Sequence, residues 1–424
     1  MDRVLKNTLI ALSCSTALFL TACTRSTYQD DDQPHIIEQY YISEEPYHLD
    51  KLDNAKTINI MKYNMQNVLG QTTQATALVI FPEKEKPIDG WRVVIWEHGT
   101  VGVADHCAPS LSPLDKDFSS LAKNLLSTGY VIVAPDYEGL GSAGIHPYLN
   151  LGSEARSAIA AIKAVNQHYA GQLHGAWMSV GQSQGGQASL GTSEYANNDP
   201  LYKGTVAAAP ASSFGEIILD VAPNLLRQLE QQEIADGLTD LEKRSSVSSY
   251  ATLLAYVALT GIGIQAYEPY FQYRDLFQAR AKPIAALADG PNGFCLQSND
   301  PEQSLVQNFK KDIISFMQAN PEQSVMDYPG LDTEVFRTNA VVTQFLADNE
   351  PGTKRLDKST MIIQGNQDTS VPYMITTALV DRLKEDLKSP DILYVLVEGA
   401  GHTQAIVQTK ERVINFIKLH LPAA

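Results

Sequence analysis

Six short apolar runs, each ending in glycine or another turn former, restrict this chain to very few folds. They are Arg92–Gly99 ("RVVIWEHG"), Tyr130–Gly141 ("YVIVAPDYEGLG"), Ala176–Gly181 ("AWMSVG"), Gly204–Ala211 ("GTVAAAPA"), Ser359–Gly365 ("STMIIQG") and Ile392–Gly401 ("ILYVLVEGAG"). Between them lie amphipathic helical patterns such as "DKDFSSLAKNLLSTG", "SEARSAIAAIKAVNQHY" and "YMITTALVDRLKEDL". Continuous apolar strands alternating with such helices predict a mostly parallel sheet covered by helices on both faces. In sheets of that kind ligands gather at the carboxyl ends of the strands, where the glycines sit here. Upstream, Lys56 to Pro82 patterns as two strands joined through Val68-Leu69-Gly70.

One segment breaks the alternation. From Ser212 to Asp348 there is no clear buried strand, only helical patterns such as "EIILDVAPNLLRQLEQQEIADGL" and "SLVQNFKKDIISFMQAN". The expected organisation is therefore a core of residues 46–211 and 349–424, with residues 212–348 inserted as a helical cap over the strand ends. Ser245–Tyr267 carries no charge. Its length would span a membrane, but serines, threonines and two glycines dilute it, and it is read as buried core of the cap.

The N-terminus reads as a targeting segment. Arg3 and Lys6 precede the uncharged stretch Asn7–Ala22, which ends in Leu20-Thr21-Ala22-Cys23. This is similar to the lipobox of bacterial lipoproteins, in which cleavage leaves a cysteine lipidated on its thiol and its amine; the alternative is an ordinary signal peptide cut nearby. Residues 1–22 are then the signal and residues 23–45 an acidic tether held by lipid on Cys23. Several acyl chains anchor a protein stably where one does not. Thr24, standing where an aspartate would indicate inner-membrane retention, points to the outer membrane. The formal charge of -16 repels nucleic acid. Removing residues 1–22 makes it (32 − 2) − (48 − 1) = −17. With Cys14 lost and Cys23 lipidated, Cys107 and Cys295 remain, able to pair in an oxidising compartment or to stay as two buried thiols.

Gly181-x-Ser183-x-Gly185 follows one of the apolar runs and precedes a helical pattern. A sharp strand-to-helix turn of this kind lifts a serine hydroxyl out at the top of a sheet. A serine is a poor nucleophile at neutral pH and needs a histidine base held by a carboxylate. On this arrangement the chain order is serine, acid, histidine. Only His402 and His420 follow Ser183. His420 lies near the end of the last helical pattern and is expected to be solvated, whereas His402 directly follows the last strand. Asp368, in "STMIIQGNQDTSVP", is the one intervening acid placed in a turn after a buried strand. The expected triad is Ser183, Asp368 and His402. Its oxyanion donors are the backbone N–H of Gln184 and, from "WEHGTVG", that of Thr100, with Gly102 as competitor; His98 is read as structural. There is no H-E-x-x-H, no paired C-x-x-C and no G-x-x-x-x-G-K, so no metal or organic cofactor is expected.

These motifs resemble the α/β-hydrolase superfamily and, more narrowly, the secretory lipase family of the fungal lipase A type with its bacterial members. The resemblance rests on "HGTVGVADHCAPS", "APDYEGLG", "GQSQGGQA", "GNQDTSVP" and "GAGH", in family order from about Lys56 onward, with a large insert before the acid. It implies a lidded esterase or lipase, Ser183, Asp368 and His402 as triad, and a bridge from Cys107 to Cys295. The expected substrate is an apolar or lipid ester. An aminopeptidase-like hydrolase, acyl transfer to an alcohol and a tethered binding module without catalysis remain as alternatives.

Overall fold

A computed structural model of the chain describes residues 37–423. The expected signal, the expected lipidation site Cys23 and most of the expected tether lie outside the described residues. Nine strands form one sheet: β1 (Tyr41–Pro46), β2 (Ala55–Gln66), β3 (Thr72–Pro82), β4 (Trp91–Glu97), β5 (Val131–Pro135), β6 (Leu173–Gln182), β7 (Tyr202–Ala208), β8 (Ser359–Gly365) and β9 (Ile392–Val397). Their order is β1-β2-β3-β5-β4-β6-β7-β8-β9. The pairs from β1 to β3 and β3 to β5 are antiparallel, and every pair from β5 onward is parallel.

Strands β4 to β8 are buried on both faces along most of their length, which is why they read as continuous apolar runs, whereas the edge strand β9 leaves Leu393 and Leu396 exposed. Alternate residues go to opposite sides. Val94, Trp96, Ile132, Met178 and Val180 pack with α1 (Lys116–Thr128). Val93, Ile95, Val131 and Trp177 pack with α2 (Leu151–His168). Past β6, α3 (Gln184–Tyr195) joins the α2 side, where Leu190 meets Ala207 and Ile362. Helix α1 is set by its ends: the Asp115 carboxylate accepts from the amides of Asp117 and Phe118 at 2.9 Å, and Gly129 closes it in the left-handed region.

The first strand begins at Tyr41, inside the stretch assigned to the tether. Its sequence, "YISEEP", has no apolar face to betray it, because it is an edge strand whose residues stay exposed or half-buried. Its pairing to β2, not burial, places it.

Between β7 and β8 the described chain is helical, with α4 (Ala222–Ala235), α5 (Ser245–Ile264) and α6 (Leu305–Ala319) around a core of their own. The charge-free helix α5 is 72% buried over its most apolar window, so it forms the interior of the cap. After β8 come α7 (Tyr373–Asp381) and, at the end, α8 (Lys410–His420). His420 is not solvated as expected. It is half-buried, its ring tilted against that of Phe416, with Nδ1 2.9 Å from the Ser359 hydroxyl at the start of β8.

Glu97, the last residue of β4, is fully buried and accepts from the hydroxyls of Ser189 and Thr192 on α3, both at 2.7 Å. Burial pushes its carboxyl up to about 8, against the opposing pull of the two hydroxyl donors. The folded chain therefore holds a proton that the unfolded chain, near 4.5, releases. Stability from this group is full below 4.5 and falls as pH rises toward 8. Glu97→Gln is expected to match the wild type at pH 5 and to be the more stable protein at pH 8.5, measured by urea unfolding. Equal stability differences at both pH values would contradict this.

Candidate active site

The turn between β6 and α3 is set by what a side chain would strike. A Cβ at Gly185 would overlap the Glu97 carbonyl oxygen, and one at Gly181 the Gly185 carbonyl oxygen, so helix and strand approach this closely only with glycine at both places. Between them Ser183 is held at φ 61°, ψ −119°. A non-glycine residue in such a region costs of order 1–3 kcal/mol and persists only where its surroundings enforce it. The Ser183 amide donates to Ala208 O at 2.9 Å, and its carbonyl accepts from Gln187 and Ala211, fixing the turn from both sides.

Asp368 and His402 meet across the ends of β8 and β9. His402 Nδ1 lies 2.7 Å from Asp368 Oδ2. The carboxylate is itself oriented: Oδ1 accepts from the amides of Ser370 and Val371 at 2.8 and 2.9 Å, and Oδ2 from Gln364 Nε2 at 2.9 Å. With Asp368 accepting at Nδ1–H, the His402 Nε2 lone pair is free to take a proton. That nitrogen is buried without a partner among the described residues. It has no hydrogen bond to Ser183, but both residues line one cavity of about 480 Å3.

The same cavity is walled by Trp96, Phe118 and Ile406 from the core and by Tyr256 from cap helix α5. Burial raises the Tyr256 phenol to about 12 against a hydrogen bond from Ser370, so it is a neutral donor at ordinary pH. Asp115 and Asp117 also reach the wall.

Thr100 lies at the cavity, its hydroxyl 2.8 Å from the Tyr148 hydroxyl. The next residue is pinned from the cap, where the Leu296 amide donates to Val101 O at 2.8 Å. At Gly102 a Cβ would sit 2.9 Å from Cys107 Sγ and 3.0 Å from Cys295 Cα, so its glycine is explained by the disulfide. Cys107 and Cys295 are joined, Cα atoms 5.6 Å apart, tying the loop after β4 to the cap. Closing a loop of this length stabilises by about 5 kcal/mol in the chain-entropy model. His98 is buried, with its ring nitrogens on the carbonyls of Gly99 and Asp136 at 2.7 and 3.2 Å.

Three residues of the site escaped the sequence reading. Gln364 orients Asp368, Gln182 Nε2 donates to His402 O at 3.4 Å, and Tyr256 enters from the cap. Gln364 and Gln182 do carry a signal, each being a polar residue at the end of an apolar run. Tyr256 carries none within a uniformly apolar helix.

The fold is that of the α/β hydrolases, and the site sits where that fold collects ligands. No family model matches the chain, and no curated protein matches it in sequence. Solved structures do. The chain is similar to the rice cell wall degrading esterase LipA from Xanthomonas oryzae, at 19% identity, covering 91% of this chain and 97% of that one, with a TM-score of 0.62. It is also similar to Candida antarctica lipase A in its closed state, at 18% identity over 90% of this chain and 81% of that one, TM-score 0.63.

Proposed function

We propose that this protein is a serine hydrolase of carboxylic esters with an apolar acyl or alcohol part, working through an acyl-enzyme. The observation that carries the reading is the Asp368–His402 pair at 2.7 Å opening onto the cavity that Ser183 lines from a strained turn. His402 Nε2 takes the Ser183 proton as Oγ attacks the ester carbonyl, a contact that tightens when substrate is bound. The amides of Gln184 and Thr100 receive the oxyanion. Neither is engaged by another acceptor among the described residues. His402 then gives its proton to the leaving alcohol, and the same groups activate water to release the acid.

The similarity to an esterase and a lipase supports ester over amide chemistry. The carboxylates of Asp115 and Asp117 in the cavity wall favour a second reading, an aminopeptidase-like hydrolase, since they would suit a cationic amine. The test is hydrolysis of p-nitrophenyl esters from acetate to palmitate beside an aminoacyl anilide. Ester turnover with no anilide cleavage is expected. Cleavage of the anilide alone would establish the peptidase instead.

Lipid on Cys23 would hold this activity at the outer membrane. Membrane fractionation should find the protein in the outer-membrane fraction and should find Cys23→Ser displaced from it. A variant that stays there would remove the lipid anchor from the account.

A further inference from the structure

The "APDYEGLG" stretch takes no part in the chemistry above, yet its Glu138 is linked through His146 to the residue that follows the nucleophile. The Gln184 side chain is fully buried, and its Nε2 donates to Glu154 Oε1 at 2.7 Å and to His146 Nε2 at 2.9 Å. His146 Nδ1 lies 2.8 Å from Glu138 O. A carbonyl only accepts, so Nδ1 carries the proton, and Nε2 is the acceptor that Gln184 needs. This settles which end of the Gln184 amide faces the pair. The cluster is anchored in turn. Glu154 Oε1 also accepts from the Leu149 amide at 3.2 Å, while Glu138 accepts from the Val68 amide at 3.1 Å and from the Ser153 hydroxyl. Burial raises the Glu154 carboxyl well above its usual range and depresses His146 to about 3, so His146 is neutral at ordinary pH.

Gln184 needs such support. It is the first residue of α3, so its N–H has no partner within the helix. The peptide plane carrying that N–H turns with Ser183 ψ and Gln184 φ, and Ser183 is itself strained. We propose that Glu154 and His146 are positioning residues for the oxyanion hole: by clamping the Gln184 side chain they fix the peptide whose N–H receives the negative charge. This rests on Ser183 as nucleophile and Gln184 as donor.

The test compares Glu154→Leu, Gln184→Met and the double variant with the wild type on p-nitrophenyl butyrate. Gln184→Met keeps the backbone N–H and the side-chain bulk but removes the clamp. Loss of a whole oxyanion donor costs about 10²–10³ in kcat, and a misaimed one should cost about 10- to 100-fold. We expect kcat to fall by that factor with KM within twofold. Inhibition by an alkyl boronic acid, which forms a tetrahedral adduct on the serine, should weaken by the same factor. The double variant should be no worse than the poorer single one, because both remove one contact. Glu154→Gln, which keeps the acceptor oxygen, should restore most of the rate.

A kcat within twofold of wild type in the single variants overturns the proposal, as does a loss carried by KM. A lowered Tm with unchanged boronic acid affinity also overturns it, since that is what a purely structural role gives. If Glu154→Leu does not fold, Gln184→Met decides alone. Ser183→Ala separates the two levels. Ester turnover that survives it would sink the nucleophile assignment, whereas turnover that it abolishes while the clamp variants stay normal would sink only the clamp.

Discussion

Ser183→Ala is expected to lower kcat for a p-nitrophenyl ester by about 10⁶-fold, the loss seen when the nucleophile of a serine triad is removed. The fold should not notice. The Ser183 hydroxyl does not cap α3, and the geometry of the turn is enforced by backbone hydrogen bonds and by the glycines on either side. Alanine keeps the Cβ and the same strained backbone, so Tm should stay within about 2 °C, the shift that a loss of about 0.5 kcal/mol gives. Rate and Tm measured on the same preparation check both statements. A rate within tenfold of wild type would place the nucleophile elsewhere.

Asp368→Asn should be nearly as damaging, about 10⁴-fold in kcat at pH 7. The reason is the tautomer. Asp368 Oδ2 accepts from both His402 Nδ1–H and Gln364 Nε2. Asn offers one oxygen and one NH2. Since Ser370 and Val371 donate to Oδ1, the oxygen stays on their side and the NH2 faces His402. An NH2 there forces the imidazole to accept at Nδ1 and carry its proton on Nε2, where it cannot take one from Ser183. The expected signature is a collapse of kcat with KM within a few-fold. An unchanged KM with kcat down only twofold would show that another carboxylate orients His402.

How far the sequence reaches toward this site depends on what each residue's role rests on. Ser183, Asp368 and His402 each follow an apolar run at its glycine-marked end, so a parallel sheet brings them to one edge whatever the details of packing. Even the swap that puts β5 before β4 in the sheet, which no local pattern encodes, leaves those ends together. The candidate donors Thr100 and Gly102 follow from the same logic, whereas the glycine at 102 has its reason in the disulfide, whose Cys295 is distant in sequence. Glu97 and Gln364 were visible as polar residues in apolar runs. Their meaning was not, because a buried carboxyl in a strand faces either the cavity or the covering helix according to side-chain phase, and Glu97 faces α3. The edge strand β1 lacked any alternation to read, since its residues stay exposed or half-buried even where Tyr41 stacks on His168 of α2. His420 was misjudged for a related reason: its partner, Ser359, is distant in sequence and adjacent only in the folded sheet.

The measurement that bears most directly on the central claim is mass spectrometry of the Ser183 peptide after reaction with an alkyl p-nitrophenyl phosphonate. The account predicts one adduct per chain, carried on Ser183, with ester turnover falling in step with labelling and no adduct on Ser183→Ala. Full ester turnover in protein labelled at Ser183, or complete inactivation by a label on another residue, would contradict it.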